Sequence, residues 1–147
     1  MSLDPLLSAP PPIAHHATAA IAAFVLGLAQ LALPKGTARH RVMGWAWVAL
    51  MLFVALSSFA IGTIGTVGGF SPIHALSVVV LVSLVQGVRY ARRGAVRAHA
   101  STMGWLFVGA LVIAGAFTFV PHRVMNDVVT GRTLFEDRAL APPRAGP

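Results

Sequence analysis

The sequence predicts an all-α integral membrane protein, a four-helix up-down bundle built from a duplicated helix hairpin. Three observations lead there. Of 147 residues, 56% are hydrophobic and only 10% charged, against about 25% charged in a soluble domain. The apolar residues fall in four runs, Pro12–Leu33, Val42–Gly62, Pro72–Val88 and Ala100–Val120, none containing Asp, Glu, Lys or Arg. Each is near the ~20 residues that cross a hydrocarbon core as a helix. The third extends to Tyr90, so the spans lie at about 12–33, 42–62, 72–90 and 100–120. Finally, the net charge of +7, which in a soluble protein would suggest nucleic acid, is concentrated at two connections. Lys35, Arg39 and Arg41 separate spans one and two; Arg89, Arg92, Arg93 and Arg97 separate spans three and four. The middle connection GTIGTVGGFS and the N-terminal MSLDPLLSAPP carry no basic residue. That asymmetry follows the positive-inside rule, with both basic loops cytoplasmic and both termini outside a bacterial inner membrane.

The elements follow in order. Residues 1–11 are a Pro-rich lead-in without the basic n-region of a removable signal peptide. Pro12 suits a first helical turn, where its missing N–H costs nothing. Pro34-Lys35-Gly36 ends helix one, and Thr37 is the expected N-cap of helix two. The glycine-rich stretch from Gly62 stops helix two, and Ser71-Pro72 starts helix three. Gly94 closes helix three, and helix four follows at once. Short connections make the helices antiparallel neighbours in one domain, 1–147, with a loose tail over 121–147. Ala19, Ala22, Ala23 and Gly27 on helix one, and Gly104, Gly109, Ala114 and Gly115 on helix four, are expected to let backbones approach. Trp45, Trp47, Trp105 and Tyr90 read as an interfacial aromatic belt.

Two stretches, PKGTARHRVMGW and RRGAVRAHASTMGW, repeat a basic cluster, a histidine and Met-Gly-Trp. The histidines keep register: 59 positions separate His15 from His74, and 59 separate His40 from His99. Up-down topology puts His15 and His74 near the outer face and His40 and His99 near the cytoplasmic face. Zinc needs three or four protein ligands, and a non-haem iron triad needs a carboxylate; no Asp, Glu or Cys accompanies either pair. Haem needs only two axial ligands from the protein. Two bis-histidine b-haems, one per leaflet, would make an electron path across the bilayer. Arg39, Arg41 and Arg97 could then meet propionates or anionic lipid. Gly44 below His40, with Ala19 and Ala22 below His15, would leave room for a flat macrocycle. The blander reading is that each histidine bonds a headgroup, a water or a free backbone group. First-turn ligands at opposite helix ends also lie roughly 25–30 Å apart, a long step between cofactors.

Other residues carry less. His16 is expected to point about 100° from His15, toward headgroups. His122 could join the outer pair as a metal ligand or be a solvated helix end. GTIGTVGG lacks the preceding strand and following lysine of a phosphate cradle. Gln30, Ser57, Ser58, Ser77, Ser83, Gln86, Thr102 and Thr118 read as interhelical hydrogen-bond partners. The absence of cysteine excludes disulfides, iron–sulfur clusters and thiolate chemistry. No hydrolase or nucleotide signature is present.

The segments PKGTARHRVMGWAWVALM, ALSSFAI, SPIHALSVVVLVSL, GVRYARRGAVRAHASTM and GALVIAGAFTFVPHRVM, over Pro34–Met125, together resemble a bacterial family of predicted four-helix membrane proteins, domain of unknown function 2306. It departs at Ala100, where such families often carry a further basic residue after the histidine. The resemblance implies an integral membrane protein and supplies no activity. The alternation of histidines is also similar in pattern to the core of diheme b-type cytochromes, a fold-level analogy. The leading expectation is thus a haem b electron carrier ligated by His15, His74, His40 and His99. The alternative is a non-catalytic accessory or assembly subunit of a larger membrane complex. A small transporter is disfavoured by the lack of intramembrane charge. The expected partners are the lipid bilayer and either a quinone or other complex subunits.

Overall fold

A computed structural model describes residues 11–61 and 72–116. The lead-in, the glycine-rich middle connection, the Ser71 cap, Thr118, His122 and the C-terminal tail lie outside the described residues. All described elements are helical: α1 Pro11–Ala32, α2 Ala38–Ile61, α3 Pro72–Arg92 and α4 Val96–Leu106. The fourth helix runs on through a π-helical stretch, Phe107–Ile113, to a last turn, α5, Ala114–Ala116. Four stretches are long and apolar enough to cross a membrane: Pro12–Ala32, Ala38–Ile61, His74–Arg92 and Val96–Ala116.

Local chemistry sets the boundaries. The Thr37 hydroxyl accepts the His40 backbone N–H at 3.1 Å, the expected N-cap of α2. Gly36 and Gly94 stand at φ +79° and +71°, the left-handed conformation that lets a helix end in a tight turn. After α3 the ending is a Schellman motif: the Gly94 N–H bonds the Ala91 carbonyl and the Ala95 N–H bonds that of Tyr90. The Lys35 ammonium reaches back to the Leu31 carbonyl, satisfying one of the orphan acceptors at the end of α1.

The bundle is an antiparallel ring. α1 packs on α2, α2 on α3, α3 on α4, and α1 closes the circle against the π-helical stretch. Each helix turns one stripe inward. On α2 it is Trp47, Met51, Ala55 and Ser58; on α3 it is His74, Ser77, Val80 and Leu84. Both have the three-or-four spacing of one helical face. Outside these stripes large apolar residues such as Val25, Leu56, Val79 and Ile113 are exposed, which suits a hydrocarbon solvent.

The tightest approach lies between α1, α2 and the start of the π-helical stretch. A methyl group at Gly27 would stand 2.6 Å from the Phe107 ring and 2.9 Å from the Trp47 indole nitrogen. Phe107 also stacks on Phe24, centroids 5.5 Å apart at 18°, and the Trp47 N–H donates to the Ala23 carbonyl at 3.0 Å. So Ala23 and Gly27 do serve close approach, as expected. Gly104, Gly109 and Gly115 do not, since a methyl group there meets no described atom within 4 Å. The close approach in the second hairpin is instead at Gly87, where a side chain would run into Met103. Trp47 leaves the aromatic belt: it is a core residue, buried with its N–H paired, whereas Trp45 and Trp105 are exposed. The fourth helix widens where Phe107 enters this packing. The Ala114 N–H reaches the Gly109 carbonyl, the five-residue bond of a π turn.

Gly27→Ala should therefore destabilise the bundle by about 1–3 kcal/mol, because two rigid aromatics must move. Gly104→Ala should cost nothing. Thermal unfolding of both variants in the same detergent, followed by circular dichroism, checks the contrast.

Candidate functional site

At the end of the bundle where α1 meets α2 and α3 meets α4, the four helices line an open cavity of about 540 Å³. That volume lies in the range of small-molecule and cofactor sites, about 300–1,000 Å³. Its walls are apolar, with Trp47, Phe107, Val48 and Met103 facing in and Gly27, Gly44 and Gly104 leaving space. His40, from the first turn of α2, and His99, from the first turn of α4, both line it. Lys35, Arg41 and Arg92 line it as well.

The two imidazoles are held differently. His99 Nδ1 lies 2.9 Å from the Gly87 carbonyl. A carbonyl can only accept, so Nδ1 carries a proton, which leaves Nε2 as the nitrogen able to act as a ligand. Gly87 both supplies that acceptor and, lacking a side chain, makes room for Met103 beside it. His40 is fixed through its backbone: its N–H is capped by Thr37 and its carbonyl accepts the Gln30 amide at 3.2 Å. Its ring Nδ1 is buried and has no hydrogen-bond partner, and the same holds for Gln30 Oε1. Buried polar atoms left unpaired are costly and uncommon. The two residues line one cavity, while these two atoms are turned away from it into the protein.

The rim is cationic. Arg41 lines the cavity; Arg39 and Arg97, expected beside it as anion contacts, are exposed and are not part of its lining. Lys35 and Arg92 take those places. The Arg92 guanidinium lies over the Trp45 ring, 5.7 Å from its centroid. Arg92 thereby ties the end of α3 to the start of α2.

The opposite end is built otherwise. His15 is exposed. His74 is buried and stacks on Phe59, centroids 5.3 Å apart at 24°. His16, expected to face headgroups, turns toward α2 and lies 2.8 Å from the Ser57 hydroxyl. The Ser57 hydroxyl also lies 3.1 Å from the Val54 carbonyl. The next residue, Ser58, pairs with Ser77, joining α2 to α3. The structure thus brings His40 and His99 to one cavity, and gives His15 and His74 unlike surroundings.

Several site residues had no distinct signal in the chain. Gln30 was one of a group of polar residues, and only its bond to His40 shows its place. Phe107, Trp47 and Gly87 look like ordinary lipid-facing or packing residues until the helices are assembled. Lys35 and Arg92 were readable only as loop charges.

The family model described as Predicted membrane protein (DUF2306) matches residues 13–145. The chain belongs to this family. No curated protein and no solved structure matches it. The membership and the four apolar helices make it an integral membrane protein.

The chain has no cysteine, so a single Gly104→Cys change reports on the cavity alone. It should react several-fold faster with an anionic thiol reagent than with a cationic one of equal size, because Lys35, Arg41 and Arg92 raise the local concentration of anions. Modification rates at low and high salt check this, and the preference should shrink as salt rises.

Proposed function

We propose that this protein is a b-type haem protein of the membrane, with His40 and His99 as axial ligands in the basic-end cavity. The observation that carries the reading is that these two imidazoles, from alternate helices, line one apolar cavity of cofactor size. Two nitrogens without a carboxylate suit a macrocyclic metal better than zinc, which needs more protein ligands. The His99 Nδ1–H bond to Gly87 is the kind of outer contact that orients a ligating imidazole and raises its basicity. Lys35, Arg41 and Arg92 supply cations for the two carboxylates that such a group carries, and the walls of Trp47, Phe107 and Met103 keep water from the iron. Bound there, haem supplies a one-electron iron couple.

With the basic loops cytoplasmic in a bacterial inner membrane, this site belongs to the inner leaflet. A second group at His15 and His74 would complete a path to the outer leaflet. It has less support, since His15 is exposed and only His74 is buried. Electrons would come from a lipid-dissolved quinone or from a neighbouring subunit.

The test is a reduced-minus-oxidised absorbance spectrum of the detergent-purified protein from a haem-replete host, with iron measured per chain. Sharp b-type bands that lose at least half their intensity in both His40→Ala and His99→Ala are the expected result. Bands at full intensity in both variants, or a folded colourless protein, overturn the reading; the latter leaves an accessory subunit as the better account. His15→Ala counts the groups. It should remove half the iron if both pairs ligate, and none if the basic end acts alone.

A further inference from the structure

A second concavity lies on the outer side of the α3–α4 pair, with a volume of about 320 Å³. Apolar residues such as Leu76 and Val79 form one end, and Gln86, Ser101 and Thr102 the other, with Ser83 between. Trp105, 73% exposed, is a wall. The polar groups lie near the charged ends: Gln86 is three residues before Arg89 and Ser101 four after Arg97, about one helical turn in each case, and both are exposed.

Their hydrogen bonding sets them apart. Thr18, Thr37, Ser57, Ser58 and Ser77 all bond a carbonyl or a neighbouring side chain. Of the remaining hydroxyls of the described spans, that of Tyr90 is not part of the groove; Ser83, Ser101 and Thr102 line it, and no side-chain hydrogen bond ties these three or the Gln86 amide to another described residue. The sequence led us to expect bonds between helices from Ser83, Gln86 and Thr102; they form none. One turn inside the charged ends, these groups sit at the level where the heads of membrane amphiphiles lie. Three hydroxyls and an amide offer donors and acceptors without charge, so the fitting partner is neutral. An indole face beside them favours a flat ring, and the apolar end of the groove suits an aliphatic tail.

We propose that this groove binds the head of a quinone-class molecule, a flat neutral ring bearing carbonyl or hydroxyl groups, entering sideways from the lipid. Gln86 and Thr102 bond the ring oxygens and Trp105 lies against the ring. Thr102 and Leu106 face the groove, while Met103, Gly104 and Phe107 face the histidine cavity. The two sites therefore back onto one helix, about 10 Å thick, close enough for electron exchange. The choice of a redox-active ring among neutral amphiphiles rests on the haem reading. Binding in the groove does not.

The full-length protein in phosphatidylcholine nanodiscs is titrated with a decyl-tailed benzoquinone, and tryptophan fluorescence is read. The expected result is a saturable quench that weakens at least tenfold in Gln86→Leu and in Thr102→Val. Trp105→Phe should remove the saturable part while Trp45 and Trp47 still report simple partitioning. A quench that never saturates and is equal in all variants overturns the proposal. So does rapid disulfide formation between copies of Ser101→Cys that the quinone cannot slow, which would assign the groove to a second copy. A colourless protein that still binds the ring keeps the groove and loses the haem; a coloured one that does not bind keeps the haem and loses the groove.

Discussion

Everything at the basic end of the bundle stands on the contact of Phe107 and Trp47 over Gly27. Gly27 lets two aromatic rings reach the α1 backbone, and Trp47 can be buried there because its N–H finds the Ala23 carbonyl. The same residues line the histidine cavity. One packing contact thus holds α1, α2 and the fourth helix together and also closes the bottom of the site. In lipid, where burying apolar surface does little to drive helices together, such a fit of small against large residues is the main source of association. The π-helical stretch belongs to the same arrangement, since it begins at Phe107.

Above that floor a few polar groups set the two histidines. In the first hairpin Thr37 and Gln30 set the backbone of His40; in the second, Gly87 sets the ring of His99. The repeated histidine spacing is therefore matched by repeated position but not by repeated support. His40 is anchored by its main chain and His99 by its side chain. The cations at the rim likewise come unequally, two from the first hairpin and one from the second.

The architecture was legible because hydropathy, loop charge and turn residues are local properties. Four uncharged runs, two basic connections and Gly36 and Gly94 mark the elements without reference to packing. The common level of His40 and His99 was also legible, since up-down topology and equal spacing dictate it, but that they line one cavity was not. Rotation about the helix axis was not. A shift of one residue turns a side chain by about 100°, which is why His16 and not His15 points at Ser57. The same limit hid Trp47 in an apparent belt and hid Gly87 altogether. Small residues were over-read on the fourth helix, because a glycine marks possible close approach and only the neighbour decides whether it happens. The π-helical stretch had no sequence mark, being a response to where Phe107 must go.

The distribution of hydrogen bonds between helices bears on how the protein is made. His16–Ser57, Gln30–His40 and Trp47–Ala23 join α1 to α2, and His99–Gly87 joins α4 to α3. Ser58–Ser77 crosses from one hairpin to the other. Each hairpin can therefore leave the ribosome and enter the bilayer with its own bonds already made, the first before the second is synthesised. Docking then waits on the hydroxyl pair and the aromatic fit. The histidine cavity does not exist until that late event, because His99 and Phe107 arrive with the second half. A cell that loads this site can do so only on finished molecules, so occupancy would serve as a record of completed assembly.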